Sequence, residues 1–242
     1  MPSVVIALLA GGLGGVLPVA VLGEPGQGLL AGLVNGFAAA ATLGPVWMPP
    51  LVATVVCAEV ESGVSAYRWV SGISAAALRN RRRVEALSAV VAALAAAAAM
   101  GVVGAVLANV STPGDWSVGL AGSSGSSGFG FAIAAAAVSV TLSISVAELV
   151  GRRLLAVVIL EGSLMATAAV LAMLYFAPIL KPAQVLSPWV GIWPLRAADA
   201  RSPLLATDIE PWIAHIATAA WVLALLTAAL LRRPDQLPKG TE

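Results

Sequence analysis

The amino-acid sequence predicts an all-α, polytopic membrane protein with six transmembrane helices. Three observations lead there: an apolar composition, apolar runs of span length, and basic residues that collect on one side once six spans are drawn. Of the 242 residues, 60% are hydrophobic and 10% are charged, and the mean hydropathy is +0.95. A soluble domain carries about 25% charged residues, so water is not the main solvent of this chain. Crossing roughly 30 Å of hydrocarbon takes about 20 mostly apolar residues. The chain therefore has room for six spans and modest loops, forming a single transmembrane domain over residues 1–242.

Apolar length and turn residues place the spans at about 4–22, 33–57, 84–108, 129–149, 154–176 and 213–231. The first has no Lys or Arg ahead of its apolar run, which argues against a cleaved signal peptide. Within it Gly11 and Gly15 stand four apart, the small-residue spacing that lets helix backbones touch. Residues 23–32, with Glu24, Pro25 and several glycines, and the Ser/Gly-rich stretch 109–128 read as loops. Cys57, the single cysteine, rules out an intrachain disulfide and reads as a small buried residue at the end of span two.

Lys and Arg are retained on the cytoplasmic side during insertion, so their placement sets orientation, whereas the formal net charge of +1 says nothing of partners. Ten of the 13 fall on one side: Arg68, Arg79, Arg81, Arg82 and Arg83 between spans two and three, Arg152 and Arg153 between four and five, and Arg232, Arg233 and Lys239 after six. Lys181, Arg196 and Arg201 make up the rest. Both termini are thus expected in the cytoplasm, in a multi-pass protein of the cell membrane. Trp116, Trp189, Trp193 and Trp212 lie in or beside the outer loops and are expected to form an aromatic belt at the interface. The outer stretch 178–210 is apolar for a loop and carries Pro182, Pro188, Pro194 and Pro203, which predicts a short interfacial or re-entrant element.

Several chemistries are excluded or weakened. Neither Lys181 nor Lys239 lies in the G-x-x-x-x-G-K-[ST] frame of a phosphate-binding loop, so the chain has no ATPase site of its own. With His215 as the single histidine and no clustered Cys or carboxylates, no metal site is expected. Gly125-Ser126-Ser127-Gly128 at the mouth of span four, with His215 in span six, resembles the nucleophile and base of rhomboid intramembrane proteases. The His-rich second span and early Trp-Arg loop of that family are absent, and the serine lies in a Ser/Gly repeat over 122–128, so a flexible loop is the simpler reading.

Glu85 stands at the very start of span three, and Glu148 and Glu161 are the carboxylates inside the spans. A charge deep in a span costs about 2.5–3.5 kcal/mol. Glu148 has Arg152 four residues on, the spacing of a helical ion pair. Glu161 lies eight residues from Arg153, or about 12 Å along a helix, and is expected to face another helix or a polar cavity. A proton-coupled secondary transporter would need such a group, but also the internal repeats that this sequence lacks.

The segment after span two is the most informative. It reads Glu59-Val-Glu61-Ser-Gly63, then Gly72, then Arg82, and Val64 to Val70 sets Tyr67 and Trp69 beside Arg68 in a short amphipathic piece suited to the membrane surface. This pattern resembles the permease subunits of ABC-2 type transporters, in which span two ends in E-x-x-x-G and a cytoplasmic coupling helix, here about 63–78, leads through a turn and a basic residue into span three. Gly72 stands at the family's turn proline and Arg82 at its basic position. The six-span layout, the long outer segment and the basic end at Arg232-Arg233-Pro234-Asp235 agree with the resemblance. One departure is the missing amphipathic helix ahead of span one, where Met1 almost abuts the membrane.

The resemblance implies a permease of an ATP-driven exporter, with no cofactor in this chain and with ATP and Mg held by a partner ABC ATP-binding subunit. It implies a second permease copy or a similar permease, contact with lipid, and no nucleic acid. Glu59, Glu61, Gly63, Tyr67, Arg68, Trp69, Gly72 and Arg82 would then couple the spans to the motor. The small size is similar to permeases that expel antimicrobial peptides such as lantibiotics, and a drug or lipid substrate fits equally well.

Overall fold

The computed structural model describes residues 2–22, 28–63, 72–111, 126–174, 184–192 and 211–231. Within them lie seven helices: α1 (Pro2–Leu22), α2 (Leu29–Thr42), α3 (Gly44–Glu61), α4 (Ala75–Ser111), α5 (Ser126–Val150), α6 (Arg153–Leu174) and α7 (Pro211–Leu231), with a 3-10 turn at Val190–Ile192. The described residues contain no strand. Helices α4, α5, α6 and α7 are each long and apolar enough to cross a membrane, and α2 with α3 makes a fifth such unit. The protein is an all-helical membrane protein; α1 is apolar along Ser3–Val16.

The predicted second span proves to be two helices bent by 71° at Leu43. Proline explains the break. Pro45 sits in the first turn of α3, where its missing N–H is not needed, but it cannot continue the hydrogen-bond ladder of α2. The interruption frees carbonyls at the end of α2, and the buried indole of Trp47 donates its Nε1 proton to Ala40 O at 2.8 Å. An unmet carbonyl at that depth has no water to turn to.

Helix α4 starts earlier than its predicted span. Ser74 caps it, its hydroxyl accepting the Ala77 N–H at 3.2 Å. Its 37 residues extend about 55 Å, well beyond the hydrocarbon thickness. The basic run Arg79–Arg83 is therefore helical, and residues 75–78 belong to α4 and not to a separate coupling helix.

Helices α1, α2 and α4 pack together with almost nothing between their backbones. A Cβ on Gly11 would run into Ala97 O, one on Gly15 into Gly101 O, and one on Gly101 into Gly32 O. The spacing noted in span one thus serves close approach to α4 within the chain. On the other side, α3 packs against α5 and α6, and α7 rests on α5 and the 3-10 turn.

Residues 184–192, within the stretch expected to form an interfacial or re-entrant element, form short 3-10 and turn structure, and they correct the expectation for one tryptophan. Trp189 does not belong to an interfacial belt: it is fully buried, with Nε1 donating to Ser163 Oγ at 2.7 Å. The hydroxyls of Thr167 and Ser187 share a hydrogen bond, and Gly191 N–H donates to Thr218 Oγ1 at 2.9 Å. These neutral bonds hold the segment between α6 and α7 and satisfy the polar groups that make them, whereas the side-chain amide of the buried Gln184 has no hydrogen-bond partner among the described residues. Trp212 remains exposed, as an interfacial tryptophan would be. Trp116 and Trp193 lie outside the described residues.

Candidate functional site

Four helix ends meet at the arginine-rich end of the bundle, joined by side chains far apart in sequence. Glu59 on α3 pairs with Arg82 on α4, Oε2 to Nε 3.2 Å. The next residue, Arg83, grips Glu148 of α5 with two bonds, Nε to Oε1 at 2.7 Å and Nη2 to Oε2 at 2.6 Å. This fork-on-fork arrangement is the strongest geometry open to the pair. Glu61 accepts the backbone N–H of Arg153 at 2.6 Å, which places a carboxylate at the positive end of the α6 dipole. Arg81 and Glu85 form an exposed i, i+4 pair along α4 at 2.7 Å.

Glu148 therefore does not pair with Arg152, as its helical spacing suggested; its carboxylate points across to α4. Sequence reasoning placed Arg83 in the basic cluster without a role. Its partner lies 65 residues away, and no local pattern reveals such a contact.

The two motif glycines share a conformational role. Gly63 has φ +72° and Gly72 has φ +85°, the left-handed region that L side chains avoid. A Cβ at either would meet nothing within 4 Å, so the backbone angle and not crowding calls for glycine. At Gly63 the turn closes α3, with Ser62 N–H donating to Ala58 O and Gly63 N–H to Val60 O. Residues 64–71, with Tyr67, Arg68 and Trp69, lie outside the described residues.

Other candidates stand apart from this end. Glu161 is half-buried on α6, and its Oε1 has no hydrogen-bond partner among the described residues. His215 is exposed on α7, while the side chain of Ser127, in the first turn of α5, lies outside the described residues. Among the described residues no group of three His, Cys, Asp or Glu is placed to hold a metal ion.

What the arrangement offers is mechanical. The Glu59–Arg82 and Arg83–Glu148 pairs and the Glu61 bond fasten the ends of α3, α4, α5 and α6 into one unit beside Gly63, where α3 closes. No family model, no curated protein and no solved structure matches this chain.

Proposed function

We propose that the chain is a permease subunit of an ATP-driven ABC exporter, with six spans and both termini in the cytoplasm of a cell-membrane assembly. In this reading α1 is the first span, bent α2–α3 the second, and α4 to α7 the rest. A separate ATPase subunit binding ATP and Mg docks on segment 63–78, and a second permease copy or similar permease completes the path. The substrate is a peptide, drug or lipid-like molecule moved outward. Closure of two motor subunits would tilt the coupling segments and reshape the path between the permeases.

The observation that carries the reading is the tie between Glu59 and Arg82 across a segment bounded by two left-handed glycines. A motor pushing on a loosely tethered loop moves only the loop. A motor pushing on a segment whose two roots are fastened to each other, and through Arg83 and Glu61 to α5 and α6, moves four helices.

Co-purification with an ATP-binding protein is the direct test, and the expected result is a stable complex from detergent-solubilised membranes. Trp69→Ala is expected to weaken that association or to uncouple hydrolysis from export. If the variant retained both association and transport, the coupling assignment would be wrong.

A further inference from the structure

The arginines at the charged end are not alike. Arg81, Arg82 and Arg83 each face a carboxylate. Arg152 and Arg153, at the two-residue link between α5 and α6, are exposed and form no ion pair among the described residues. Beside them opens a cleft of about 610 Å³, within the size range of ligand sites. Its walls are Val60 from α3 and Leu154, Leu155 and Val158 from α6. These α6 side chains lie open, Leu154 77% exposed and Val158 56%. The cleft also contains the Glu61 carboxylate, which accepts the Arg153 N–H and keeps its negative charge, so Arg152, Arg153 and Glu61 together leave a net charge of +1 at this end of the cleft. The exposed guanidinium of Arg152 thus stands at the head of an apolar groove along a helix long and apolar enough to cross a membrane, and Arg153, also exposed, follows it in the chain.

A ligand that satisfies both parts has an anionic head and a hydrocarbon tail. We infer that this cleft binds an anionic phospholipid, with its phosphodiester on Arg152 and Arg153 and an acyl chain along Leu155 and Val158. A free phosphate would use the arginines and leave the groove empty; a neutral lipid would fill the groove and leave the net positive charge unmet. The site rests on the chain's residence in a bilayer and is independent of any motor subunit.

The test uses the full chain in symmetric nanodiscs of phosphatidylcholine doped with spin-labelled phosphatidylglycerol or spin-labelled phosphatidylcholine, with the motionally restricted lipid fraction as readout. Each charge near the surface contributes about fivefold to the preference for anionic lipid, so a net charge of +1 gives about fivefold. Arg152→Gln with Arg153→Gln is expected to bring phosphatidylglycerol down to the level of phosphatidylcholine or below it. Arg81→Gln removes a charge from the same end and is expected to change the preference less than twofold. Val158→Trp, which fills the groove and keeps both charges, should lower phosphatidylglycerol retention severalfold. Excess glycerol phosphate should displace nothing. An unchanged preference in the double variant, an equal loss with Arg81→Gln, no effect of Val158→Trp, or displacement by glycerol phosphate would each overturn the assignment. Symmetric discs offer the lipid on both faces, so such a failure leaves orientation and motor binding untouched, and those are read by co-purification.

Discussion

The two halves of the bundle are held together in opposite ways. In the α1–α2–α4 half, glycine removes side chains so that backbones touch, and attraction comes from many short dispersion contacts. In the α3–α6 half, long charged side chains reach across gaps and fix helix ends through a few strong, directional bonds. The difference follows depth. Ionic ties sit near the helix ends, where water can hydrate what the pair leaves over, while the glycine contacts need no water at all. One half resists sliding and the other resists splaying.

The strongest way to break this contrast is to remove one charge from the two-bonded Arg83–Glu148 pair. Arg83→Ala removes both bonds to Glu148, whose side chain is only 8% exposed, and is expected to cost about 3–5 kcal/mol, read as a fall in detergent melting temperature. Replacing both residues with Leu should restore most of the loss, because neither charge remains.

Next in size is the glycine seam. Gly101→Ala brings a methyl group against the Gly32 carbonyl and is expected to cost about 1–3 kcal/mol. Gly162→Ala, where no atom lies within 4 Å, should instead stabilise by up to about 1 kcal/mol. Opposite signs for the same chemical change would sharpen the contrast; equal signs would remove it.

Trp189→Phe deletes the bond to Ser163 at the outer segment and should cost about 1 kcal/mol, with no dependence on salt. At the small end, Arg81→Ala in an exposed pair is expected to leave the melting temperature where it was, because water and salt screen that interaction.

The helical character, the apolar spans and the basic end were legible in the sequence because each is a property of composition along the chain. The α5–α6 boundary at Gly151 and Arg152 was legible for the same reason. The Glu59–Arg82 tie joins residues that a motif had already placed on either side of one loop. Contacts such as Arg83–Glu148 and Glu61–Arg153 depend on which helices become neighbours, and local spacing even pointed Glu148 to the wrong arginine. Pro45, Pro49 and Pro50 were visible within span two, yet apolar length alone let the run read as unbroken. Trp189 was misplaced because an indole in a proline-rich outer stretch has the composition of a belt residue; its burial depends on Ser163 standing within reach.

The bend at Leu43 acquires a further meaning from the two modes of packing. Helix α2 belongs to the glycine half and α3 to the charged half, so the bent pair Leu29–Thr42 and Gly44–Glu61 is divided between them. The two halves are therefore not linked only by side-chain ties such as Arg82–Glu59 and Arg83–Glu148; they also share a joint within the backbone of this bent pair. The 71° bend is where α3 can turn against α2, with the Trp47 proton on Ala40 O as its pin.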